Sequence, residues 1–143
     1  MDTVLNKVGF IAEHNPIQEA IHFKEITENV NQCTSSINEQ LICYLSECPL
    51  VFSWMGYFIS LDDNSLIAPM AYYSDGLYVW PSYTKYYLEK YSYNYLHSDF
   101  LIYLEKKNYQ KPQLSKLERE NIENVILLRH NGFPITLPPR SSQ

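Results

Sequence analysis

Within Tyr72–Tyr87, reading YYSDGLYVWPSYTKYY, two aromatic-rich apolar runs flank the dipeptide Asp75-Gly76. Asp and Gly tolerate the positive φ of a tight turn, so this pairing predicts a β-hairpin. The second run, Leu77–Trp80, meets Pro81, which cannot donate to a strand ladder, and Ser82 then offers a side-chain oxygen to cap a helix. That helix is expected over Tyr83–Tyr91, with Tyr83, Tyr86 and Tyr87 on one side. Strand, turn, strand and helix follow one another here, and the remaining segments can be placed around them.

Upstream, Leu50–Ile59 (LVFSWMGYFI) is rich in β-formers and apolar on both faces, so a central strand covered on both sides is expected. Gly56 within it marks a bulge or a close backbone approach. LDDNS at Leu61–Ser65 is turn chemistry, and Ile67–Tyr73 returns as a strand whose Pro69 requires an edge or a bulge. The fold class expected is therefore α+β, a three-stranded antiparallel meander packed by four to five helices.

The helices have their own signals. Pro16 can open a helix over Ile17–Val30, but Ile17, Ala20 and Ile21 fall nearly opposite Phe23, Ile26 and Val30. That split stripe leaves a break near His22 and burial on two sides both open. Ser36 and Glu39 have capping-box spacing before the stripe Ile37, Leu41, Tyr44, Leu45 and Cys48, which Pro49 ends. A helix from Ser98 or Asp99 turns Phe100, Tyr103 and Leu104 inward. Ser115 and Glu118 repeat the capping box before a helix along Leu117, Ile122, Val125, Ile126 and Leu128, with Asn131-Gly132 as its stop. The first fifteen residues leave a short strand and an anchored loop open. The 143 residues suit a single domain, 1–143, with a loose Pro-rich tail over 133–143.

No apolar run approaches the ~20 residues that span a bilayer, and no secretory signal is evident. Three cysteines without paired spacing argue for reduced thiols and a cytoplasmic address. The net charge is −5, unevenly spread: residues 1–84 carry ten acids and two bases, residues 85–143 six acids and nine bases. An acidic half disfavours nucleic acid and favours a basic protein, although acids also serve simply to solvate a surface.

Candidate chemistry is sparse. His14, His22, His97 and His130 are scattered with no orienting partner in sequence, so neither an enzyme nor a cofactor is expected. Asp62-Asp63 beside Asn64 starts like a cation loop but lacks the Gly and distal Glu of an EF-hand, so no metal is expected. Adjacent carboxylates in a hairpin loop are instead placed to meet Arg or Lys of another protein. Trp54, Tyr57, Tyr78, Trp80 and the Tyr83–Tyr95 group exceed what a small core needs, so most build the core and a few reach an interface.

ICYLSECPLVFSWMGY (Ile42–Tyr57), SDGLYVWPSYTKYYLEKY (Ser74–Tyr91) and the pair Asp99-Phe100 give Ile37–Leu104 a resemblance to small bacterial immunity proteins found beside polymorphic toxins. Asp75, Gly76, Trp80, Pro81, Tyr86, Tyr87 and Phe100 carry the resemblance, and Tyr78 stands where the family pattern has Trp. It implies a cytoplasmic protein, of the contact-dependent growth inhibition immunity type, that neutralises one cognate toxin domain by stoichiometric binding. A basic nuclease would suit the acidic half. The expected toxin-binding residues are Asp62, Asp63, Glu25, Glu28 and Glu39, with Tyr57 and Tyr78 as exposed anchors. Two other readings stay open: a small hydrolase whose His and Asp residues converge only in three dimensions, and a regulatory or scaffold module.

Overall fold

The structure is a computed structural model and describes residues 5–32 and 37–127. Four strands, β1 (Asn6–Lys7), β2 (Leu50–Ile59), β3 (Leu66–Ser74) and β4 (Tyr78–Pro81), form one sheet in the order β1-β4-β3-β2. Strands β2, β3 and β4 are the antiparallel meander. Two residues near the N-terminus add a parallel strand to β4, so the sheet is mixed and not three-stranded. Five helices accompany it among the described residues: α1 (Phe23–Glu28), α2 (Glu39–Glu47), α3 (Thr84–Tyr91), α4 (Ser98–Lys106) and α5 (Lys116–Leu127). The class is α+β, as expected.

The Asp75-Gly76 turn forms as its residues dictate. One Asp75 oxygen accepts the N–H groups of Leu77 (2.9 Å) and Tyr78 (2.8 Å), and Gly76 takes φ +98°. Strand β2 occupies the expected residues, but among the described residues it stands at the edge of the sheet and not at its centre. Apolar faces report what lies above and below a strand, and say nothing about what lies beside it. Pro69 sits in the interior strand β3, where a bulge accommodates it. Between Ser53↔Ala71 and Tyr57↔Pro69 the register shifts, so Trp54, Met55 and Gly56 face Met70 alone. Gly56 adopts φ +115° within that bulge.

Helix α1 begins only at Phe23. Ile11 bridges Ile21, with Ala12 N–H on the Ile21 carbonyl (2.7 Å), and His22 is extended, so Ile17–Ile21 belongs to a loop. The split stripe is a break, not a helix buried twice. Asn38 caps α2 by accepting Leu41 N–H (2.8 Å); Ser36, assigned that role from sequence, lies outside the described residues. Ser82 does not cap α3. Its hydroxyl donates to the Pro69 carbonyl, and Tyr83 opens the helix with no side-chain cap. The Ser115/Glu118 box forms reciprocally (2.8 and 3.1 Å). Leu117 is exposed, against expectation, while Ile122 and Ile126 are buried. Leu128, Asn131-Gly132 and the 133–143 tail lie outside the described residues.

Alternation along β4 sends Trp80 to one face and Val79 to the other, giving two cores. The larger gathers Tyr44, Leu45, Trp80, Tyr83, Tyr87, Leu88, Phe100 and Leu104 from β4, α2, α3 and α4. The smaller sets α5, through Ile122 and Ile126, against Val51, Tyr72, Val79 and Phe10. Buried tyrosines satisfy their hydroxyls on the N-terminal loop: Tyr83 donates to Asn15 (2.7 Å) and Tyr95 to the Gly9 carbonyl (2.8 Å). Those bonds fasten that loop to α3 and the segment after it.

Candidate functional site

At one end of the sheet, the loop joining β2 to β3 carries Asp62 and Asp63. Both carboxylates reach a single ammonium, that of Lys90 in the last turn of α3 (3.0 and 3.3 Å). Lys90 also donates to the Tyr86 hydroxyl (2.9 Å), and the Tyr91 hydroxyl donates to Asp62. The Tyr91 hydroxyl, then Lys90, holds Asp62 below the usual carboxylate range. Ser65, through its hydroxyl and its N–H, does the same for Asp63 with help from Lys90. Tyr86 and both carboxylates raise Lys90 in turn. Two anions thus share one cation, and Asp63 keeps 54% of its side chain exposed.

Beside this loop lies an apolar strip. Tyr57 and Ile59 point the same way along β2, Leu66 lies opposite Ile59 on β3, and the intervening Phe58 points into the larger core. Tyr57, Ile59 and Leu66 are 53%, 47% and 67% exposed, and Met55 in the bulge is 86% exposed. Tyr57, Ile59 and Leu66 together form an exposed apolar strip of the kind that marks interaction surfaces.

The other expected residues are dispersed. Glu25 accepts from Tyr93 (3.2 Å) and Glu28 pairs with Lys24 (3.7 Å), both on α1. Helix α1 meets α3 where Phe23 packs on Tyr87 and Tyr91, so Glu25 lies towards the Tyr91 side of α3. Glu39 lines a 440 Å³ cleft with Ile42, Leu88 and Glu89. At about 100° per residue, positions 88 and 89 of α3 face away from positions 90 and 91. Glu39 is therefore across the helix from Asp62 and Asp63, and the expected acids do not form one surface. Tyr78 is not an exposed anchor either, because it is half-buried against Phe100 and Tyr103 (ring centroids 4.7 and 5.1 Å).

The uneven charge of the two halves is partly cancelled by folding. Lys90 takes Asp62 and Asp63, and Lys111 takes Glu47 (3.3 Å), each joining a base of the second half to acids of the first. Asp75 is buried, with Tyr44 donating to it (2.5 Å) and Lys107 donating to Tyr44 (3.1 Å). Sequence reasoning missed Lys90, Tyr86 and Tyr91 as the clamp on the loop. The spacing of Tyr86 and Lys90, one helical turn apart, was the available signal. It also missed Met55, Ile59 and Leu66.

His14 is half-buried among aromatic rings. Its ring packs on Phe58 and Tyr83, and its Nε2 lies 2.8 Å from the Tyr87 hydroxyl. That hydroxyl already accepts Leu61 N–H (3.1 Å), which leaves its proton for an unprotonated ring nitrogen. Burial lowers the His14 pKa to about 4, against the coulombic pull of Glu13. Burial likewise pushes the Cys48 thiol up to about 12, away from nucleophilic chemistry. Among the described residues no three of His, Cys, Asp and Glu cluster to hold a metal ion, and no helix is long and apolar enough to cross a membrane.

The His14 environment makes stability depend on pH. The unfolded chain binds a proton near the ordinary 6.5, whereas the folded chain resists it to about 4, so stability falls as pH drops through that window. Asp62 and Asp63 have lowered values, so their contribution is lost only below the ordinary 3.8. Between pH 7 and 4.5 the expected loss is on the order of 2 kcal/mol by urea unfolding. A His14→Phe variant should lose most of that slope, and an unchanged slope would mean that His14 is not the responsible group.

No family model, curated protein or solved structure matches this chain.

Proposed function

We propose that this protein is an immunity protein that binds and neutralises one cognate bacterial toxin domain in the cytoplasm, as in contact-dependent growth inhibition, by stoichiometric association without turnover. The observation that carries the reading is the apolar strip of Tyr57, Ile59 and Leu66 beside the Asp62-Asp63 loop. An apolar centre with a charged rim is the anatomy of a protein interface. The resemblance over Ile37–Leu104 supplies the class of partner. The excess negative charge of a loop with two carboxylates and one ammonium favours a basic one. The hydrolase reading has less support: His14, half-buried, faces a tyrosine hydroxyl and aromatic rings, and among the described residues no carboxylate bonds its ring nitrogens.

Co-expression tests this reading. The protein should protect cells from the toxin domain encoded beside it and co-purify with that domain at one to one. Asp63→Asn keeps the oxygen that accepts from Ser65 and removes the charge together with the oxygen that accepts from Lys90. It should slow association by about two- to fivefold at low salt, with the difference fading near 0.5 M. Equal rates at every ionic strength would place the loop away from the partner.

A further inference from the structure

We infer that the cavity beside β1 is a binding site for a small organic cation, an ammonium group carried on an apolar or aromatic body. The inference goes beyond the immunity reading and stands apart from it, because β1 and β2 lie at opposite ends of the strand order. The cavity measures 600 Å³, a size that suits a small molecule. It lies between β1, the loop at Glu19 and Ile21, and the segment 95–99 that leads into α4. Val8, Ile21, Tyr78 and Tyr95 give it apolar walls. Two of its polar side chains keep bonding capacity that the fold does not use. The Tyr78 hydroxyl makes no hydrogen bond among the described residues. Burial, then the charges of Asp99 and Asp75, raises the Tyr78 pKa, so the oxygen keeps its proton and still has lone pairs to offer a donor. The Asp99 side chain is 76% exposed, and His97 does not neutralise it. His97 Nδ1 lies 3.7 Å from the carboxylate but accepts the Asp99 N–H at 3.1 Å, so that nitrogen carries no proton.

Charge selects the ligand. Glu19 is met by Lys7 (3.4 Å), which leaves Asp99 as the uncompensated charge of the lining. An ammonium at this place gains a carboxylate and the Tyr78 oxygen, whereas an anionic ligand would meet Asp99 as a like charge. The apolar walls require a body that a bare metal ion lacks.

The test is a fluorescence titration of the full chain with dansylcadaverine, an aromatic body ending in a primary ammonium, against dansylaminocaproate, which has the same body and a similar chain but ends in a carboxylate. The amine should bind saturably with Kd below about 0.3 mM, and the acid at least about tenfold more weakly. Asp99→Asn should weaken the amine by about tenfold. Tyr78→Phe should weaken it by about threefold while leaving the urea midpoint unchanged, since the fold does not use that hydroxyl. In an NMR titration with the same amine, amide shifts should map to residues 5–10, to Tyr78 and to 95–99. Equal binding of amine and acid, an affinity that Asp99→Asn leaves intact, or no saturation up to about 1 mM would overturn the inference. So would amide shifts confined to residues 50–66, which would assign the dansyl group to the apolar strip of β2 and β3.

Discussion

Asp75→Ala is expected to destabilise the protein by on the order of 4 kcal/mol, enough to unfold much of the population of a marginally stable domain. The carboxylate does three things at once. It accepts Leu77 N–H and Tyr78 N–H to close the hairpin, and it accepts the buried Tyr44 hydroxyl of α2. Lys107, one residue past α4, then donates to the hydroxyls of Tyr44 and Tyr103. Burial, then Asp75, raises the Tyr44 pKa well beyond its ordinary value, so Tyr44 stays a donor. Alanine would strand the Tyr44 hydroxyl and two backbone N–H groups and leave Lys107 with no nearby anion. Asp75→Asn separates the roles. It can keep the turn acceptor while losing the charge, so it should cost roughly half as much in urea unfolding. Equal costs would mean that charge, not turn geometry, dominates.

Trp80→Ala should cost about as much, on the order of 4 kcal/mol, for a different reason. Trp80 is 1% exposed, packs on Tyr44 and Phe100 with ring centroids 5.9 and 5.8 Å away, and donates its indole N–H to the Leu45 carbonyl at 2.9 Å. Truncation leaves a cavity between β4, α2 and α4 and an unpaired carbonyl at Leu45. Trp80→Phe fills most of the cavity but not the hydrogen bond, and about 2 kcal/mol is expected for it. A loss below ~1 kcal/mol for Trp80→Ala, by the same urea unfolding, would contradict the position of Trp80 at the centre of the larger core.

What was legible in the sequence was local. Asp75-Gly76, the residues of β2, and the Ser115/Glu118 box depend on neighbours a few positions away, and each forms as read. What escaped depends on distant residues. β1 exists because Asn6 N–H bonds the Leu77 carbonyl (2.9 Å) and Val8 N–H the Val79 carbonyl (3.0 Å), a pairing no two-residue pattern announces. The late start of α1 follows from the Ile11–Ile21 bridge. Asp62 and Asp63 were recognisable as loop carboxylates, but their cation lies on α3, 28 and 27 residues away. A charge sum over each half of the chain also overlooks that the fold joins those halves. For that reason the acids of the first half do not gather on one face, and what they leave is a smaller feature, one loop beside one apolar strip.

The most direct measurement is calorimetric titration of the proposed cognate toxin domain, taken from a toxin gene adjoining this one, with the wild-type protein and with Tyr57→Lys. The account predicts one-to-one binding with no substrate consumed, weakened by at least about tenfold in the variant while its urea midpoint is unchanged. Undiminished binding by Tyr57→Lys, or no binding by the wild type, would contradict it.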